Sequence, residues 1–389
     1  MKNTPLKYPN QKQSFFFSYL GVFILFLPIL FYAKNTQLSQ IGSLLLILCY
    51  LFALIDNLRT PPLFVLNGQT VIFMGMILFY TISLLLSQNL KNLYSFTLCL
   101  GGLYILHYFT QVNFNLKAQQ IFYKYSLILL MALVPLGIYL GLNGGISIFA
   151  GYNDYFNRVI FKLMLPLSFF LVICTKRKYL IWFSLAMVYW LMIERTSAII
   201  TLIILGTYYF FHAAPDNQKR SKRVFWILIT TLFLFIVVYV GIFETEFGFK
   251  LNVLTRDLTG KNLFSGRQTI WAAAFKAILK KPFFGYGFDS SVLLQYGIEM
   301  SPHNAYIYIL LQTGVVGLSL FLAFLYSIWT SLVRSSTDLS KVSLSYFLAL
   351  LIFMNFELTL IANTMVLGLY YTLTVALGIS VKQEITEEH

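Results

Sequence analysis

The sequence predicts an all-α polytopic membrane protein, and three observations predict it. Hydrophobic residues make up 58% of the 389-residue chain and charged residues only 11%, a balance outside the range of soluble globular domains. The apolar residues are gathered into runs that approach or exceed the roughly 18 residues a helix needs to cross a bilayer. The weak period-two alternation of a membrane barrel is absent, so the spans form a helical bundle.

About twelve spans follow in order: 15–33, 39–55, 70–86, 93–111, 121–140, 159–175, 179–193, 197–212, 224–243, 304–333, 343–356 and 364–380. Short polar turns such as Asp56–Pro62 and Ser87–Lys91 separate them. The run after His303 is long enough for its first part to stand above the membrane or to tilt. Alternate loops carry the cations. Lys2/Lys7/Lys12, Arg59, Lys117/Lys124, Lys176/Arg177/Lys178, Lys219/Arg220/Lys222/Arg223, Arg334/Lys341 and Lys382 fall on one side, against Lys34, Lys91, Arg158/Lys162 and Arg195 on the other. By the positive-inside rule both termini are cytoplasmic and the long 244–303 loop is extracytoplasmic.

The net charge of +14 is therefore mainly topological and does not argue for nucleic acid as a partner. Membrane lipid is the surrounding medium. Cys49, Cys99 and Cys174 lie in or beside apolar runs without metal-ligand spacing, which argues against a disulfide framework or a zinc site. No small-residue cleavage site follows the first apolar run, so it reads as a span. With no fixed-period repeat and no low-complexity linker, residues 1–389 form a single integral membrane domain.

The 244–303 loop is the longest polar-containing interruption, and its clearest feature is an amphipathic helix over 267–281. Ile270, Trp271, Ala274, Phe275, Ile278 and Leu279 recur at helical spacing on one face, with Gln268, Lys276 and Lys280 off it. Such a helix lies on the membrane surface or packs on the bundle. Pro282 ends it, and Gly285 and Gly287 turn the chain back. The Gly285–Gly287 pair lacks the Lys-Ser/Thr continuation of a phosphate loop and reads as a turn.

Candidate functional residues cluster at this face. Arg195 stands between two apolar runs, where a charge near hydrocarbon needs a counter-ion, a cavity or the bundle interior. It either pairs with Glu194 or snorkels, or it binds an anion bidentately. Arg267 adds its guanidinium to the positive end of the amphipathic helix, and two such arginines can clamp a diphosphate. Arg158 and Lys162 are weaker members of the same rim, since cations at span ends are routine. His303 opens a span beside these arginines, whereas His107, His212 and His389 lie elsewhere. Its imidazole suits a general base, the alternative being a histidine that caps the span. The acidic residues on this side are Asp154, Glu194, Glu244, Glu246, Asp257, Asp289, Glu299 and Glu357. None forms a closely spaced Asp-x-Asp pair, and nothing in the sequence asks for a metal or other cofactor.

The order Gly266-Arg267, Trp271, Pro282, Gly285-x-Gly287, His303-Asn304 and Gly314-x-x-Gly317 resembles the shared signature of O-antigen ligases and Wzy-type polysaccharide polymerases. Arg195, followed by a small-residue apolar run, is similar to the family's upstream arginine motif. The resemblance implies a bundle of the GT-C type in the bacterial inner membrane, working on its outer face. It implies an undecaprenyl-diphosphate-linked glycan donor held by Arg195 and Arg267, with His303 as general base and an inverting, metal-independent transfer. It also implies as acceptor either a second lipid-linked glycan or lipid A-core, with a chain-length regulator and a flippase as associated proteins.

Three functions follow from this reading. The first is a polymerase that joins lipid-linked repeat units into O-antigen or capsule; the second is a ligase that passes the glycan to lipid A-core. A glycan transferase acting on protein is third, disfavoured by the compact outer loop and the absence of a large soluble domain; the alternative from a different class, a carrier that moves the lipid-linked glycan without making bonds, lacks its expected marks of internal repeats and charged mid-span positions.

Overall fold

Helices are the only regular elements among the described residues of the computed structural model. These residues are 67–88, 92–111, 195–213, 218–259, 262–264, 266–289, 291–335, 337–358 and 360–361, with scattered helical positions elsewhere. In chain order the elements are α1 (Gly68–Ser87), α2 (Leu93–Gln111), α3 (Arg195–Ala213), α4 (Gln218–Gly241), α5 (Glu246–Thr259), α6 (Arg267–Lys280), a 3-10 turn (Val292–Tyr296), α7 (Ala305–Ser335) and α8 (Asp338–Phe353). Six expected spans, 70–86, 93–111, 197–212, 224–243, 304–333 and 343–356, each fall on one of these helices. The other six lie wholly or largely outside the described residues. Gly68–Ser87, Lys219–Gly241 and Ala305–Arg334 are long and apolar enough to cross a membrane.

Local chemistry sets several boundaries. Asn67 caps α1 by accepting from the Thr70 amide at 2.8 Å, and Thr337 caps α8 by accepting from the Ser340 amide at 3.1 Å. Lys280 closes α6 just ahead of Pro282, where the sequence requires it. The 244–303 segment contains more helix than expected. Besides α6 it holds α5, whose apolar Phe247, Leu254 and Leu258 are exposed.

The helices run between two distinct ends. At one end Trp329 of α7 packs against Phe211 of α3, Phe225 of α4 and Phe347 of α8, and its indole donates to the Ser221 carbonyl at 2.9 Å. Lys219, Arg220, Lys222, Arg223 and Arg334 belong to this end. At the other end Tyr239 of α4 meets Trp271 of α6, and the start of α7 meets the end of α8. Because α3 packs along α8 and its Phe211 meets Trp329, α3 begins, with Arg195, at this second end.

The expected single span over 304–333 is interrupted. Gly314 has φ 66 and ψ −171, so α7 is two helical segments joined by a break. A break inside an apolar bundle frees backbone groups that need new partners. The 282–287 turn supplies them. Tyr286 and Gly287 donate their amides to the carbonyls of Leu311 and Gln312 at 3.1 and 2.8 Å, and the Val315 amide donates to Pro282 at 2.8 Å. The Ser83 hydroxyl of α1, 2.7 Å from the Phe284 carbonyl and 3.0 Å from that of Gln312, donates into the same junction. The two backbones approach so closely that a Cβ at Gly285 would overlap the Gln312 carbonyl, and one at Gly314 would overlap that of Phe283. Both glycines also need left-handed φ.

Gly314→Ala carries a cost of about 1–3 kcal/mol for a backbone region that essentially only glycine adopts and an overpacking cost of about 1–3 kcal/mol. Gly75→Ala in α1, where nothing approaches the new methyl, is expected to be neutral or slightly stabilising. Thermal melting of the detergent-purified variants checks this, and equal midpoints would contradict the junction.

Candidate functional site

Three segments far apart in sequence converge at the end where α7 begins. The first is the start of α6. Gly266 precedes it in a left-handed conformation and provides no side-chain cap to the first-turn amides beside Arg267. Ile270, Trp271, Ala274 and Ile278 are buried against α4 and α7, as the periodicity requires. Two residues depart from the expected face. Leu279 is 79% exposed, while Gln268 is buried with its Oε1 lacking a hydrogen-bond partner among the described residues. The packed face is therefore rotated toward Gln268, because α6 packs on both α4 and α7.

The second segment is Pro302-His303-Asn304. The buried Trp271 indole donates to the Pro302 carbonyl at 2.7 Å, tying this loop to α6. Asn304 is the cap of α7, its side-chain oxygen accepting from the Ile307 amide at 3.0 Å. His303 is thus not the cap. It stands one residue outside the helix at φ 48, a left-handed backbone uncommon for a side-chain-bearing residue.

The third segment is the turn 354–357 at the end of α8. The Ala305 amide donates to the Met354 carbonyl at 2.7 Å, and the Asn304 Nδ2 lies 2.7 Å from Asn355 Oδ1 and 2.9 Å from its carbonyl. The Tyr306 hydroxyl donates to Leu351 at 2.8 Å. These bonds bind the start of α7 to the end of α8.

At the meeting point, Glu357 faces two partners with its two oxygens. Oε1 is 3.8 Å from Nη2 of Arg267, and Oε2 is 3.7 Å from Nδ1 of His303. The Arg267 guanidinium also lies 5.9 Å from the centroid of the Phe356 ring. The side chains are graded in exposure, Glu357 at 16%, Arg267 at 27% and His303 at 41%. A carboxylate facing Nδ1 favours the tautomer with its proton there, which leaves Nε2 as the acceptor on the exposed side of the ring. The arrangement offers a cation for an anionic group and a base for a hydroxyl.

The expected residues divide accordingly. Arg267 and His303 come together through Glu357. Arg195 opens α3 at the same end of the bundle, its side chain lying outside the described residues, as do Arg158 and Lys162. The Gly285–Gly287 turn commits the Tyr286 and Gly287 amides to α7 and the Gly285 amide to the Lys281 carbonyl, in keeping with its reading as a turn. Glu246 pairs with Lys250 at 2.6 Å, Asp257 with Arg256 at 3.9 Å, and Asp289 accepts from Ser291. Among the described residues, Glu357 is the acid that reaches Arg267 and His303. The sequence places it among the eight acids on this side, with no closer signal than its position just past an apolar run.

Residues 183–322 match the family model described as O-Antigen ligase. The matched stretch includes Arg195, Arg267, His303 and the Gly314 break, and ends before Glu357. No curated protein matches the chain significantly.

Asn304→Ala removes the α7 cap and leaves Asn355 without its donor. The expected cost is about 1–2 kcal/mol for the cap and about 1–3 kcal/mol for the buried group left unpaired. A lowered melting midpoint checks it, and an unchanged one would show that the α7–α8 tie contributes little.

Proposed function

We propose that this chain, which is similar to the O-antigen ligase family over residues 183–322, joins undecaprenyl-diphosphate-linked repeat units into a surface polysaccharide. The convergence of Arg267 and His303 on Glu357 carries the reading. The reaction takes place on the outer face of the bacterial cytoplasmic membrane. In support, the Lys219–Arg223 cations and Arg334 mark the opposite end of the bundle, which the positive-inside rule assigns to the cytoplasm.

Arg267 holds the donor diphosphate together with the positive N-terminal end of α6, and Arg195 joins it from the start of α3. An acceptor hydroxyl attacks the anomeric carbon of the donor and gives its proton to Nε2 of His303. The bond from that carbon to the diphosphate oxygen breaks, and undecaprenyl diphosphate leaves with the electron pair. The cations offset the charge that develops on this leaving group, where such stabilisation is most effective. A single displacement inverts the anomeric centre. The description of the matched family favours a second reading, a ligase that transfers the glycan to lipid A-core.

Purified protein in liposomes with an undecaprenyl-diphosphate-linked repeat unit is expected to produce a ladder of lengthening lipid-linked glycans. Strict dependence on added lipid A-core would replace the polymerase with the ligase, and absence of any glycan joining would point to a carrier. His303→Asn, which tolerates the left-handed backbone, is expected to lower kcat by about 10²–10⁴. Arg267→Ala is expected to cost about 10²–10³ in kcat/KM. Full activity in either variant would remove that residue from the reaction.

A further inference from the structure

We propose that Glu357 stands in for the donor's phosphate. Its carboxylate neutralises Arg267 before substrate binds, yields the guanidinium to the diphosphate, and keeps His303 oriented throughout. The proposal rests on the reading of Arg267 as the diphosphate site.

The division of labour between the two carboxylate oxygens is the first support. Oε1 faces Arg267 and Oε2 faces His303, so releasing the arginine does not require releasing the histidine. The second is distance. At 3.8 Å from a single nitrogen, the contact to Arg267, like the 3.7 Å approach to His303, is longer than a charge-assisted hydrogen bond of about 2.8 Å, and it is not the two-pronged fork that locks guanidinium to carboxylate. A diphosphate presents more oxygens and more charge than one carboxylate, and so competes for the five N–H donors of the guanidinium.

Anchoring decides which partner moves. Glu357 sits on a turn fixed by its own amide bond to Phe353 at 2.9 Å and by the neighbouring Asn304–Asn355 tie. Arg267 reaches the site on a long side chain from the first position of α6. Donor binding therefore draws the guanidinium away while the carboxylate stays. A carboxylate only 16% exposed is costly unless it faces positive charge. As His303 accepts the acceptor's proton, the imidazolium becomes the charge that Glu357 faces. Donor binding thus turns Glu357 from the partner of Arg267 into the partner of the protonated base. It is a positioning residue that couples the diphosphate site to proton removal.

The test uses the full chain in lipid nanodiscs, with undecaprenyl diphosphate as the binding probe and the glycan-joining assay for kinetics. Glu357→Gln is expected to bind undecaprenyl diphosphate about 5- to 10-fold more tightly than the wild type, with kcat lowered about 10-fold or more. KM and kcat therefore fall together. Glu357→Asp, which draws the carboxylate back from both partners, is expected to shift both quantities in the same directions by less, and it keeps the test open if the Gln variant does not fold. Folded variants that bind the probe no more tightly than the wild type would overturn the stand-in, and an unchanged kcat would overturn the orienting role. If Arg267→Ala binds undecaprenyl diphosphate as well as the wild type, the diphosphate reading of Arg267 itself falls, a result separate from any obtained with Glu357.

Discussion

A backbone interrupted within an apolar bundle must find new partners for every group it frees, and at Gly314 those partners come from one short turn. The exchange of amides and carbonyls between 282–287 and 311–315 fixes the end of α6 against the middle of α7. At the other end of the same pair, the Trp271 indole grips the Pro302 carbonyl. Between these two fastenings Ile270, Ala274, Ala277 and Ile278 pack with Ile307 and Leu311. The upper segment of α7 is thereby held along its whole length by α6, and the relative height of Arg267 and His303 follows from it.

The site combines rigid backbone with loosely engaged side chains. Its three segments are joined by hydrogen bonds of 2.7 to 3.0 Å through Trp271, Asn304 and the Ala305 amide. Arg267, Glu357 and His303, by contrast, approach one another only at 3.7 and 3.8 Å. Backbone fixation provides the preorganisation that electrostatic catalysis needs. The looser contacts leave the charged groups able to exchange partners as substrates arrive, which tight bidentate pairing would prevent.

What was legible in the sequence followed the physics of local pattern. Hydropathy located the spans that the structure describes, and period 3.6 located α6 and most of its packed face. The break at Gly314 was hidden because a glycine in an apolar run is compatible with an unbroken membrane helix, and its partner turn lies nearly thirty residues upstream. Helix α5 carried its period in Phe247, Leu251, Leu254 and Leu258, but the interleaved Glu246, Lys250, Arg256 and Asp257 give it the hydropathy of a loop. Leu279 and Gln268 exchanged places because α6 packs on two neighbours, a fact that periodicity alone does not contain. Glu357 was visible only as an acid after an apolar run; its meaning depends on tertiary contacts with Arg267 and His303.

The break in α7 also sets a depth. Val315 to Ser335 spans about 31 Å at 1.5 Å per residue, close to the roughly 30 Å hydrocarbon thickness of a bilayer. Ala305 to Thr313 rises about a further 14 Å. At the level of the break, Leu86, Phe283, Phe284, Val315 and Val316 are exposed and form an apolar collar. With that collar at the hydrocarbon boundary, the start of α7 stands about 14 Å above it, past the roughly 5–8 Å headgroup layer, which puts Arg267, Glu357 and His303 on the aqueous side. Under the proposed function, a lipid-linked donor must lift its diphosphate out of the headgroup layer to reach Arg267, while a growing sugar chain approaches the same atoms from water.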